Sequence, residues 1–91
     1  MTANKATLDE RRKRALYRAC HRGTKEMDWL LGRYAKAKLA SMGGDELEVF
    51  ERLMSLPDPD IEHWITHAPQ AGPIEVWGIV GQLRAFHDIE A

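Results

Sequence analysis

Arg22-Gly23-Thr24-Lys25-Glu26 joins two stretches that each read as helix. Upstream, residues 10–20 are basic and amphipathic. Downstream, Met27, Leu30, Leu31, Tyr34 and Lys38 recur at helical spacing. Between them Gly23 takes a positive φ without steric cost, so the first helix can stop and the chain can turn. Thr24 is a competent N-cap for the second helix. Arg22 suits the negative end of one helix dipole and Glu26 the positive end of the next. Local rules thus account for every residue of the pentapeptide and predict a helical hairpin with a tight corner.

Working outward, Thr7-Leu8-Asp9-Glu10 reads as a capping box that opens the first helix, which runs to Cys20 or His21 with Leu16, Tyr17 and Cys20 as its buried stripe. The second helix spans residues 24–39, with Met27, Leu30, Leu31 and Tyr34 inward, and Met42-Gly43-Gly44 ends it. Asp45-Glu46-Leu47-Glu48 is a second box-like start, and the third helix turns Leu47, Phe50, Leu53 and Met54 inward. Pro57 stops it after Leu56. Asp58 then caps a short fourth helix with Pro59 at its first position and Ile61, Trp64 and Ile65 inward. After the loop of residues 67–73, a fifth helix over 73–87 buries Val76, Ile79, Val80 and Leu83. No segment alternates with period two, so strands are not expected. The predicted fold is all-α: five helices in a compact antiparallel bundle, one domain over residues 1–91, with 1–7 flexible and 88–91 frayed.

At 91 residues the chain has no room for a cofactor-binding fold plus a substrate domain. Its 44% hydrophobic and 30% charged content fits a globular chain rather than a disordered one. No apolar run approaches the roughly 18 residues of a membrane span, so no membrane insertion is expected. The first residues form no apolar signal region, and Asp9 and Glu10 argue against a transit peptide. Cys20, the only cysteine, fits a reducing compartment. Net charge is −1, yet residues 1–38 hold 11 Lys/Arg against 4 Asp/Glu, and the remainder 2 against 10. Either one face attracts an acidic partner, or the two halves lie together and cancel.

No catalytic constellation is legible. Cys20 and His21 are neighbours, but adjacent helical side chains diverge by about 100° and cannot act as a nucleophile–base pair. His63 and His67 are at i, i+4 without a third ligand, so no metal is expected. No G-x-G-x-x-G or P-loop is present, and no cofactor is expected to be held tightly by this chain. Arg11-Arg12-Lys13-Arg14, extended by Arg18 and Arg22, could track phosphates, which makes a small helical nucleic-acid-binding protein the alternative reading. It lacks aromatic interleaving, so a solvated helix face is preferred and no nucleic acid is expected. Trp29 falls between the inward positions of its helix and is the tryptophan expected to be partly exposed for a partner.

Arg22-Gly23-Thr24-Lys25-Glu26 fits the signature R-G-x-x-E, and Met27-Asp28-Trp29-Leu30-Leu31-Gly32-Arg33-Tyr34 comes directly after it. Further on, Phe50-Glu51-Arg52-Leu53-Met54-Ser55-Leu56-Pro57-Asp58-Pro59-Asp60-Ile61-Glu62-His63-Trp64-Ile65 has an acidic-Pro-acidic turn and then an aromatic. In these two blocks, and over residues 11–87, the chain resembles the SdhE (flavinator) family. The resemblance implies an assembly factor rather than an enzyme. Such a factor binds the flavoprotein subunit of succinate dehydrogenase, and in some cases of fumarate reductase, and promotes covalent attachment of FAD to a histidine of that subunit. FAD would belong to the partner. Carried over residue by residue, Arg22 pairs with acceptors on the flavoprotein, Gly23 permits close backbone approach, and Glu26 accepts from donors there or braces Arg22. Lys25, Asp28 and Trp29 are their neighbours, while Trp64 and the Asp58–Asp60 turn read as fold determinants. The expected free state is a monomer. The expected setting is the bacterial cytoplasm, or the mitochondrial matrix if a presequence has been removed.

Overall fold

Thr7 and Glu10 form the box that their spacing predicts. The Thr7 hydroxyl accepts the Glu10 N–H at 3.1 Å, and Glu10 Oε1 accepts the Thr7 N–H at 2.9 Å. They open α1, Leu8–Cys20. The computed structural model describes residues 7–89; residues 1–6, 90 and 91, part of the ends expected to be flexible or frayed, lie outside the described residues.

The inward face of α1 differs from the expected stripe. Ala15 and Ala19 are buried, Leu16 and Cys20 are half-buried, and Tyr17 is 65% exposed. The cause is how closely α1 lies on α2, Lys25–Lys38. A Cβ built on Gly32 of α2 would stand 3.2 Å from Cys20 Sγ and 3.4 Å from Cys20 Cα. Only small side chains fit such an approach, so the helix rolls its alanines inward and Tyr17 outward, where its ring stacks on His21 at 4.0 Å.

Thr24 caps α2 by accepting the Met27 N–H at 3.2 Å. Met27, Leu30, Leu31 and Tyr34 are buried as expected. A 3₁₀ turn over Leu39–Ser41 then brings Leu39 and Met42 into the core. The third helix, α3, Gly44–Met54, begins slightly before its predicted start. Gly43 has no side chain to cap with, so Glu46 Oε1 alone closes that end by accepting the Gly43 N–H at 3.0 Å. Leu47, Phe50, Leu53 and Met54 are buried, and Phe50 is among the largest fully enclosed side chains.

The fourth helix, α4, Asp58–Thr66, has Pro57 in the capping position, Asp58 as its first residue and Pro59 as its second. The expected Asp58 cap therefore does not form, because its carboxylate is engaged by Arg22 instead. Ile61 and Ile65 are buried; Trp64 is half-buried, its ring over Gly72, where a Cβ would come within 2.7 Å. The predicted single helix over 73–87 is a 3₁₀ turn, Ile74–Val76, and then α5, Trp77–Phe86. The Trp77 indole N–H donates to the Gly72 carbonyl at 2.8 Å and holds this entry in place. Val76, Ile79, Val80 and Leu83 are buried as expected.

The described residues thus fold into five α-helices with no strand. Arg12 near the start of α1 donates to the Met42 carbonyl beyond the end of α2, while Cys20 faces Gly32, so the two helices run antiparallel. Tyr34 bonds Gln82 and Leu30 bonds His87, so α2 and α5 are antiparallel as well. Buried Arg84 donates to the Ile65 carbonyl and ties α5 to the end of α4. Two ion pairs, Arg11–Glu51 and Arg22–Asp58, join the basic first half to the acidic second, so the halves partly cancel across the fold.

Candidate functional site

The corner between α1 and α2 is built by Gly23, which takes φ +111. No atom lies within 4 Å of where its Cβ would be, so its flank is open. The conformation is one that L side chains rarely adopt. Lys25 and Glu26 stand exposed just past the turn, and neither side chain makes a salt bridge among the described residues.

Arg22 does not stand free beside them. Its backbone N–H donates to Asp28 Oδ1 at 2.5 Å. Its guanidinium donates to Asp58 Oδ1 from Nε at 2.9 Å and from Nη2 at 2.5 Å. The Arg22 side chain is 10% exposed and that of Asp58 24%. Arg22, expected to face a partner's acceptors, is paired inside the chain here. Asp28 is likewise turned inward, and it is Asp28 and Asp58, not Glu26, that brace Arg22. The ionic link explains why an R-G turn and an Asp-Pro-Asp turn belong to one fold, since each fixes the other.

Trp29 is 49% exposed. Its ring lies 4.4 Å from that of His87, and the Arg33 guanidinium stands 5.9 Å from its centroid. His87 donates from Nε2 to the Leu30 carbonyl at 2.7 Å, which fixes its ring against the indole. Of the six proposed partner-binding residues, Gly23, Lys25, Glu26 and Trp29 lie outward around one corner, while Arg22 and Asp28 hold that corner from within. Two contacts are not legible in the sequence, that of Asp58 with Arg22 and that of His87 with Trp29. Asp58 arrives from α4 and His87 from the end of α5, and no local pattern signals either contact.

The remaining sequence signals take these places in the fold. Arg11 pairs with Glu51 at 2.7 Å, a hydrogen bond that raises the guanidinium pKa further. Arg12 is spent on Asp9 and the Met42 carbonyl. The basic run is therefore partly consumed within the fold, leaving Lys13, Arg14 and Arg18 exposed. His63 and His67 stack at 5.7 Å, and no group of three metal-ligating side chains forms among the described residues. No helix among them is long and apolar enough to cross a membrane. Elsewhere, burial, helped by the charge of Glu46, pushes the Tyr34 phenol up, and its hydroxyl donates to Gln82 at 2.7 Å. The backbone N–H of Glu75, together with Arg52, holds the Glu75 carboxyl below its ordinary value.

Comparison with known proteins gives the family of the chain. The family described as flavinator of succinate dehydrogenase (Sdh5) matches residues 13–87, which include the whole corner and both of its internal anchors. The chain belongs to this family. It is 40% identical over 58 residues to the FAD assembly factor SdhE of Acetobacter pasteurianus, covering 64% of this chain and 53% of that one. It is 42% identical over 65 residues to the mitochondrial succinate dehydrogenase assembly factor 2 of Yarrowia lipolytica, covering 71% and 45%. The protein of the same name from Candida glabrata is 35% identical over 83 residues, covering 90% and 54%. The chain thus spans about half the length of these relatives. These relatives carry the names of assembly factors, not of catalysts. No solved structure matches the chain.

Proposed function

We propose that this flavinator-family chain docks on the flavoprotein subunit of succinate dehydrogenase and promotes covalent attachment of FAD to it. The observation that carries the reading is the open corner within the family match: Gly23 without a lateral neighbour, close to a Glu26 that has no salt-bridge partner among the described residues. A docking surface needs close backbone approach and unspent polar groups, and the corner has both. Arg22 enters this reading as the group that fixes the corner's shape through Asp28 and Asp58.

FAD and its target histidine belong to the partner in this scheme. The chain contributes a preference for the partner conformation in which flavin and histidine are aligned. Orientation of reacting groups can remove several kcal/mol of a barrier. A binder shifts such an equilibrium only by its differential affinity for the aligned state. The related flavoprotein of fumarate reductase is a second substrate for the same surface. The factor acts as a monomer in the bacterial cytoplasm or in the mitochondrial matrix.

The experiment is reconstitution of flavinylation with purified apo-flavoprotein, FAD and this chain, read as in-gel flavin fluorescence of the denatured subunit. Glu26→Ala should keep the wild-type unfolding midpoint and lose most of the covalent flavin. A folded Glu26→Ala that supports wild-type flavinylation refutes the role given to the corner.

A further inference from the structure

Three aromatic rings run in sequence along one side of the molecule. Trp29 on α2 lies 4.4 Å from His87, just past α5, and His87 lies 5.0 Å from Phe86 with the rings at 90°. Phe86 in turn meets buried Tyr34 edge-on at 5.5 Å. Trp29 is 49% and Phe86 36% exposed, and they are two of the four large apolar side chains that stand out from the surface among the described residues. The other two, Tyr17 and Ile74, sit on α1 and on the 3₁₀ turn before α5.

The ridge is rigid. The Nε2–H of His87 is bound to the Leu30 carbonyl at 2.7 Å, and the Trp29 indole rests on that ring, with the Arg33 guanidinium 5.9 Å from its centroid. Aromatic side chains held in place before binding lose little conformational freedom when they dock. Trp and Arg are the residue types that carry most of the energy in protein interfaces. The ridge is also continuous with the corner. Glu26, Trp29 and Arg33 stand at i, i+3 and i+7 of α2, on one exposed face. Arg33 makes no salt bridge among the described residues, so its charge is unspent.

We infer that the ridge Trp29–His87–Phe86 is the apolar half of the flavoprotein interface, with the Gly23–Glu26 corner as its polar half. The inference rests on the proposed function and extends it to α5, which the R-G-x-x-E signature does not reach. The matching surface on the flavoprotein is an apolar hollow that receives the Trp29 indole, with a carboxylate at its edge for Arg33.

The test measures the Kd of the full chain for purified apo-flavoprotein subunit. Trp29→Ala should weaken binding at least about tenfold, and Trp29→Phe should recover part of the loss, because a smaller ring still fills the hollow. His87→Ala, which frees the indole, should weaken binding less than Trp29→Ala. Each variant is first checked for an unchanged helical spectrum and is paired with Glu26→Ala. Wild-type affinity for Trp29→Ala beside weakened Glu26→Ala overturns the ridge and leaves the corner standing. Weakened Trp29→Ala beside unaffected Glu26→Ala supports the ridge and overturns the corner. If neither variant weakens binding, both fail. Sedimentation of the free chain adds a last outcome: a homodimer that Trp29→Ala abolishes would assign the ridge to a second copy and overturn the inference.

Discussion

Asp58→Ala is the substitution that decides what Arg22 is for. Exposed ion pairs contribute about 0–1 kcal/mol, whereas removing one member of a buried pair costs about 3–5 kcal/mol. With side chains 10% and 24% exposed, Arg22–Asp58 lies between these limits and nearer the second. Both donors, Nε at 2.9 Å and Nη2 at 2.5 Å, converge on one carboxylate oxygen, so its loss leaves two enclosed N–H groups short of a partner. Asp58 also stands in the first turn of α4, where a carboxylate is worth about 0.3–1 kcal/mol against the helix dipole. The expected cost of Asp58→Ala is about 2–3 kcal/mol. In a domain of this size that lowers the thermal midpoint by about 10–20 °C. Arg22→Met keeps the apolar stem and should cost less, because Asp58 can turn to solvent. Urea denaturation of the two single variants and the double variant gives the coupling, expected at about 1.5–2.5 kcal/mol with the dipole contribution cancelling. A coupling below about 0.5 kcal/mol would mean that the pair does not hold the corner, and that the Arg22 guanidinium is available to a partner.

Burial and charge set the other expectations. Leu53→Ala, at a fully enclosed side chain, should cost about 2–5 kcal/mol by urea denaturation. The roll of α1 is tested by a pair: Tyr17→Ala should stay within about 0.5 kcal/mol of wild type, while Ala19→Leu should cost about 1–3 kcal/mol by overpacking. Tyr34→Phe loses the hydrogen bond to Gln82, about 0.5–1.5 kcal/mol near neutral pH. The folded chain holds the Tyr34 proton more tightly than the unfolded chain. That contribution is fully present below the unfolded value of about 10 and is lost as pH rises through the folded one. Melting curves above about pH 10 should therefore fall less steeply for Tyr34→Phe than for wild type. Equal slopes would show that the phenol is not enclosed.

Much of the fold was legible because its signals are local. Capping at Thr7 and Thr24, periodicity in α2 and α3, and the stop at Pro57 each depend on residues within one or two turns, and all formed. The errors arose where a distant element intervened. By size and hydropathy Leu16, Tyr17 and Cys20 outweigh Ala15 and Ala19, and only the close approach at Gly32 selects the alanine face of α1. Asp58 satisfies every local rule for a cap, but a guanidinium 36 residues away claims its carboxylate. At the corner the outward positions of Gly23, Lys25 and Glu26 were readable from turn chemistry. The inward turn of Arg22 was not, because a pairing across α1, α3 and α4 leaves no trace in spacing.

The same long-range pairing has a consequence for how the chain is made. Synthesis delivers the cationic half first, and the anions that answer Arg11 and Arg22 lie 40 and 36 residues later. While the ribosome is still translating α3, the nascent hairpin already contains the complete R-G-x-x-E sequence but holds its turn only through the local contacts of Thr24 and Asp28. Only after Asp58 has emerged and α4 has settled does the turn gain its second, long-range anchor. A product cut short before that point would carry the motif without the ionic brace on Arg22, so full ability to engage a partner should appear late in synthesis.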